Sequence, residues 1–305
     1  MSLSLISNPP PWPHGARCAV CFSFDMDVET LLHLYHRDTA RSRLVTSSAF
    51  RYEPSVAIPR LIKIWKHFNI RQTVFIPGWA IETYPHAVEA LVEAGHEIGH
   101  HGWLHERPNL LSRDAEERVL DRALAAFDKV VGRRPVGYRA PAYALSEHTV
   151  GLLIERGFGY DASLMGDDVP YMLESPRGSL VEIPSDFALD DWMQYVNLEE
   201  FGCRMPIRAP QRAMEVFQAE FDAAWAHGGL WISVWHPFVS GRLARADAMV
   251  HLIEYMVDKG GVWFAPMGEI AAHVRHLTAT GAWTPRVDQV PFWNEPVDHL
   301  VTMTR

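Results

Sequence analysis

The first apolar run of the chain ends in Phe24-Asp25-Met26-Asp27, with Glu29 two residues further on. A carboxylate at the end of a buried strand is costly unless it is paired or bound to a metal. Asp25 and Asp27 are therefore candidates for chemistry, the alternative being a solvated acidic loop. A second cluster, Gly99-His100-His101-Gly102-Trp103-Leu104-His105, carries His101 and His105 four residues apart. If a helical turn begins there, both imidazoles face one way and can share a metal. His96 and His100 have the same spacing, so spacing alone does not single out a pair. Position does: His101 and His105 follow a candidate strand, at the rim of Asp25 and Asp27, whereas His96 precedes it and belongs to the opposite rim. Two imidazoles and one carboxylate are a catalytic zinc set that leaves a position for water. Such a metal lowers the pKa of its water to about 7 and polarises a carbonyl.

Three more polar residues stand at the ends of apolar runs. Arg139 opens Arg139-Ala140-Pro141-Ala142-Tyr143, Asp161 opens Asp161-Ala162-Ser163, and His236 follows Trp231-Ile232-Ser233-Val234-Trp235. Singly each has a structural reading: a surface cation, a helix cap, a core histidine. Jointly they supply the groups that metal-assisted amide hydrolysis requires.

Short apolar runs and amphipathic runs alternate and must position these residues. Strands are expected at 19–24, 73–76, 97–99, 136–139, 159–161, 180–183, 230–234 and 262–265. Helices are expected at 58–68, 85–93, 114–131, 147–155, 211–225, 246–258 and 268–277. Ser112 caps the third of these helices and Gly132 ends it. The order helix, glycine, apolar strand is that of parallel βα units, so one barrel-like α/β domain over 1–305 is expected, with a core at about 19–277. The active site of a parallel barrel gathers at the C-terminal ends of its strands. Segments 30–54 and 165–210 (apart from one strand) read as long irregular loops, a length that often marks function. Apolar residues in 278–305 suggest docking on the chain's own barrel or on a neighbouring subunit.

The chain has 305 residues and a net charge of −9, which disfavours nucleic acid as a partner. No apolar run suits a membrane span. Cys18 and Cys21 face opposite sides of a strand and read as buried core thiols rather than a redox pair. The first residues lack the pattern of a signal peptide, and the expected address is the cytoplasm.

The ordered set Phe24-Asp25-Met26-Asp27, His101-x-x-x-His105, Arg139-x-Pro141, Asp161 and Trp235-His236-Pro237 resembles the polysaccharide deacetylase (carbohydrate esterase 4) superfamily. Phe75-Ile76-Pro77-Gly78-Trp79, Gly99-His100-His101-Gly102-Trp103 and Leu189-Asp190-Asp191-Trp192 resemble its branch of peptidoglycan deacetylase-like proteins, allantoinases and cyclic imide hydrolases. The resemblance implies a distorted (β/α) barrel of about seven parallel strands, a cytoplasmic homotetramer and a divalent metal, zinc by its ligands. It implies Asp25 as base, Asp27, His101 and His105 as metal ligands, Arg139 as the holder of Asp25, His236 as acid and Asp161 as its orienting partner. Metal-independent allantoinases of this branch lack the second histidine, so His105 argues for a metal enzyme.

The expected reaction is hydrolysis of a carbon–nitrogen bond, with a backbone N–H near Tyr143 helping the metal at the oxyanion. Trp79, Trp103 and Trp192, with Phe187 and Tyr195 nearby in sequence, suit a small closed pocket, although tryptophans are commonly core residues. The expected substrate is a cyclic imide opened to a half-amide. The alternatives are an N-acetyl-sugar deacetylase that releases acetate, an allantoinase and a non-catalytic ligand-binding barrel.

Overall fold

The computed structural model describes residues 3–293 and residue 295. Its strands are β1 (Cys18–Asp25), β2 (Thr73–Ile76), β3 (Glu97–His100), β4 (Gly137–Tyr138), β5 (Tyr160–Asp161), β6 (Tyr171–Ser175), β7 (Gly178–Glu182), β8 (Asn197–Leu198), β9 (Cys203–Arg204), β10 (Leu230–Trp235), β11 (Val262–Phe264) and β12 (Val287–Gln289). The main sheet runs β10-β1-β2-β3-β4-β5-β7-β6-β12, and β11 pairs with the first half of β1. From β10 to β7 every pairing is parallel, which gives the α/β architecture with a mostly parallel central sheet that the sequence implies.

All eight residues of β1 are buried, as expected of a parallel strand covered on both faces. Alternation along it sorts two cores. Cys18, Val20, Phe22 and Phe24 pack under the helices, while Ala19 and Cys21 join a second cluster with Phe75, Tyr160 and Ile232. On the second face the residues become polar toward the strand's end, through Ser23 to Asp25. Burial pushes both thiols up to about 12, so Cys18 and Cys21 are inert core residues.

The helix Arg113–Ala126 begins at Ser112, whose hydroxyl accepts the Ala115 N–H, and continues as a wider coil to Gly132 at φ 72°. Its buried face holds Leu120, Ala123 and Leu124, while Ala115 and Val119 are half-buried. Glu116 sits on that buried face because the Ser146 and Thr149 hydroxyls satisfy its carboxylate.

Three segments are more ordered than their composition suggests. Residues 30–54 carry the helices Thr30–Tyr35 and Leu44–Phe50. Residues 165–210 contain the antiparallel pair β6–β7 and the small hairpin β8–β9, not one strand. In the tail, β12 pairs with β6 and Trp283 is buried in the second core, whereas Phe292 and Trp293 are exposed. Residue 294 and residues 296–305 of the tail lie outside the described residues. Among those described, no helix is long and apolar enough to cross a membrane.

Strand register places the functional residues in one layer. Phe24 pairs with Trp235, Asp25 with Phe75, Ile76 with His100, His100 with Tyr138, and Tyr138 with Asp161. The next residues along these strands, His236, His101 and Arg139, therefore emerge at the same rim as Asp25.

Candidate active site

Arg139 is almost fully buried and reaches along this layer. Its Nη1 donates to Asp25 Oδ1 at 2.7 Å, Nη2 to the Ser23 hydroxyl at 3.0 Å and Nε to the Ala162 carbonyl at 3.0 Å. Burial alone would raise the Asp25 pKa. The Arg139 charge, with His101 and His236, outweighs it and holds the carboxyl below its ordinary range. Asp25 is thus an ionised carboxylate at a buried position.

Asp27 sits at the centre. His101 Nε2 lies 3.5 Å from its Oδ1, and His105 Nε2 and His236 Nε2 lie 3.6 and 3.8 Å from its Oδ2. Both oxygens are buried and have no hydrogen-bond partner among the described residues. Burial pushes the Asp27 carboxyl up, and the nearby Asp25 and Asp191 charges add to this against the pull of His101 and His236. An orphaned carboxylate facing imidazole nitrogens fits a cation. Donor atoms of Asp27, His101 and His105 all lie within 4.8 Å of one another.

His101 has the tautomer that a metal ligand needs. Its Nδ1 lies 2.8 Å from the Arg139 carbonyl oxygen, which can only accept, so Nδ1 holds the proton and Nε2 turns a lone pair toward Asp27. Burial lowers the proton affinity of His101, and that of His105 to about 4, keeping both rings neutral as ligands must be. The pair does not share a helical turn. Gly102 at φ 73° and His105 at φ 64° fold the chain back, and the Glu106 carboxylate accepts the Trp103 and Leu104 N–H groups. The ring centroids of His101 and His105 are 5.1 Å apart.

His236 is held by Asp191, not by Asp161. Its Nδ1 lies 2.8 Å from Asp191 Oδ1, while Asp191 Oδ2 accepts the Ser240 hydroxyl at 2.6 Å. The Asp161 carboxylate instead accepts the Ser163 hydroxyl at 2.7 Å, and its β7 neighbour is Glu182. Asp161 is fully buried and braces the segment whose Ser163 hydroxyl accepts the Ala140 N–H. The orienting role given to it by resemblance is thus corrected. Asp191 lies in one of the passages that carried the resemblance, but in a loop without periodicity nothing distinguished it from Asp190.

Glu53 was also missed. It is fully buried, accepts the Val28 N–H at 2.8 Å and the Phe238 N–H at 3.4 Å, and supports the turn at Val28, where φ is 48°. Burial pushes its carboxyl well above the usual range. A lone glutamate in a polar stretch gives no sequence signal of this kind.

These groups open into a cavity of about 650 Å³. Tyr143 and Trp192 line it, with Phe187 and Phe201. Trp79 and Trp103 do not. Trp79 packs on His33 and Tyr84, and Trp103 lies under Arg122, whose guanidinium is 4.1 Å from its ring. Tyr195 is buried in the core, with Arg245 over its ring. The Tyr143 backbone N–H donates to the Ala140 carbonyl at 2.9 Å and is not free for an oxyanion. Its hydroxyl donates to Asp190 Oδ2 at 2.7 Å.

Comparison with known proteins gives this geometry a family. The polysaccharide deacetylase family profile matches residues 42–161. A peptidoglycan deacetylase of Helicobacter pylori is 32% identical over 244 residues, covering 71% of this chain and 83% of that protein. A peptidoglycan deacetylase-like protein of Gibberella zeae is 34% identical, covering 72% and 75%. Among solved structures, a Mycobacterium smegmatis protein named for polysaccharide deacetylases aligns with a TM-score of 0.86 and 41% identity, covering 93% of this chain and 98% of that one. Puue allantoinase aligns at 0.77 with 25% identity, covering 91% and 96%. With matches of this extent to curated relatives, around a rim that joins Asp25, Asp27, His101, His105, Arg139 and His236, the chain belongs to the polysaccharide deacetylase family and is a hydrolase of carbon–nitrogen bonds.

Proposed function

We propose that the protein removes an acyl group, acetyl in the first instance, from the nitrogen of an N-acetylated sugar or small amine. The observation that carries this reading is the convergence of three imidazoles on the orphaned carboxylate of Asp27, with Asp25 ionised beside them. The curated relatives named as deacetylases support it over ring opening.

Asp27, His101 and His105 would hold the metal. When bound, a divalent cation supplies Lewis-acid charge for a carbonyl oxygen and for the attacking water. Asp25 accepts the proton of that water, and Arg139 keeps the carboxylate ionised and aimed. His236 gives its Nε2 proton to the departing nitrogen while Asp191 holds its Nδ1–H and offsets the ring's charge. Water thus adds to the carbonyl carbon, the carbon–nitrogen bond breaks, and a carboxylate and an amine leave. Zinc as the metal, the cytoplasm as the address and an assembly of four belong to the same proposal. They rest on the donor set, the reduced thiols and the resemblance in turn.

A second reading, hydrolysis of a cyclic imide, is favoured by the aromatic walls of the cavity, which suit a small ring better than an extended chain. One panel separates the two. Purified protein with zinc, cobalt or manganese is offered N-acetylglucosamine oligomers, small N-acetylamines, succinimide, glutarimide and phthalimide, with chelator as control. The deacetylase reading expects acetate in step with free amine. Ring opening with no acetate reverses the ranking, and turnover that survives the chelator removes the metal from both.

A further inference from the structure

Besides its histidines, the cavity is lined by four carboxylates and one guanidinium: Asp25, Asp27, Asp190, Glu200 and Arg107. Three are answered within the protein. Asp25 is held by Arg139, Asp190 by the Tyr143 hydroxyl and the Trp192 N–H, and Glu200 by Arg43 at 2.6 Å and Thr46 at 2.7 Å. Two make no side-chain hydrogen bond among the described residues. One is Asp27 on the floor, which a cation would answer. The other is Arg107, which is exposed and two residues beyond His105 on the same turn.

That turn is not loose. The Glu106 carboxylate ties it at Trp103 and Leu104, and the Asn109 N–H donates to the Ala144 carbonyl, joining it to the loop of Tyr143. Arg107 is thus a planar five-donor cation on a braced turn, at a cavity whose carboxylates Asp25, Asp190 and Glu200 are held by other groups. Its flat fork matches a carboxylate better than any neutral group.

We infer that Arg107 is a specificity-determining residue that binds a carboxylate on the substrate, so that the preferred substrate is a small amide carrying a free carboxyl group away from the scissile bond. The inference deepens the proposed function and rests on it, since the floor must hold the amide while Arg107 holds the acid. It also predicts that a polymer of neutral sugars is not the best substrate.

The test compares pairs of N-acetylamines that differ only in a carboxylate against a carboxamide, such as N-acetyl-β-alanine and its amide, in wild type, Arg107→Met and Arg107→Lys. Charge-assisted pairing predicts a wild-type preference of about ten-fold or more in kcat/KM for the acid, expressed in KM. Arg107→Met should abolish that preference, and Arg107→Lys should restore part of it. Equal kcat/KM for acid and amide in wild type, or a preference that survives in Arg107→Met, overturns the inference. Calorimetric titration of the zinc-loaded protein with the same compounds and with the corresponding carboxylate-bearing imides separates this from failure of the reaction. Carboxylate-dependent binding that is lost in Arg107→Met without turnover would sink the proposed reaction but keep the Arg107 site, and binding indifferent to the carboxylate would sink the site.

Discussion

His236 Nδ1 lies 2.8 Å from Asp191 Oδ1, and the same carboxylate accepts the backbone N–H groups of His236 and Ser240 together with the Ser240 hydroxyl. Burial alone would lower the proton affinity of His236. The hydrogen bond and charge of Asp191 outweigh it and push the pKa up to about 10. His236 is the acid in the proposed reaction, so activity falls as pH rises through that value. Asp191→Asn removes the charge that holds the proton, and the alkaline limb of kcat/KM should move to lower pH, with kcat down about 100-fold from lost general-acid catalysis. Asp161→Asn should leave that limb in place. A pH–rate profile of both variants checks the assignment, and a limb that moves with Asp161 instead would contradict it.

The buried pair of Arg139 and Asp25 makes a prediction on stability. Arg139→Met leaves the Asp25 carboxylate buried without its cation, at a cost of about 3–5 kcal/mol. Asp25→Asn leaves Arg139 its bonds to Ser23 and Ala162 and should cost less. That variant should also retain metal, because Asp25 is outside the ligand set, while losing about 1,000-fold or more in turnover with its base. Chemical denaturation and metal analysis of both proteins give these values. Metal lost from Asp25→Asn in step with activity would make Asp25 a ligand rather than a base.

Metal and fold should be coupled. Free zinc at 100 times its Kd stabilises the wild type by about 2.7 kcal/mol, read as a rise in Tm. His105→Ala should lose most of that rise and most of its metal. An equal rise in wild type and variant would show that the zinc binds elsewhere.

The tryptophans divide by location. Trp192→Ala opens a wall of the cavity and should raise KM more than it lowers Tm. Trp79→Ala and Trp103→Ala remove packing away from the cavity, so they should lower stability by about 3–5 kcal/mol and leave KM near that of the wild type. Thermal melts beside steady-state kinetics distinguish the two patterns.

The strand-end residues were legible because a parallel sheet buries its strands, so a charged residue closing an apolar run stands out. That logic found Asp25, Asp27, His101, Arg139 and His236 from types and order. It failed where no strand supplies a register. Asp191 and Glu53 sit in long polar segments, and their burial comes from tertiary contacts with His236, Val28 and Phe238. Asp161 misled for the opposite reason. It closes a strand as the residues of the rim do, yet Ser163 covers its carboxylate. The left-handed turn at Gly102 and His105 reproduces the effect of a helical spacing without a helix, so the histidine pair was visible in the sequence although its backbone was not. The tryptophans show the limit of composition, since nothing in a count tells a cavity wall from a core.

Anomalous diffraction from zinc-soaked crystals of the wild-type protein tests the central claim most directly. The account predicts one strong peak about 2.0–2.2 Å from an Asp27 oxygen, His101 Nε2 and His105 Nε2 together. A well-occupied zinc peak away from these three residues, or none among them at saturating zinc, would contradict it.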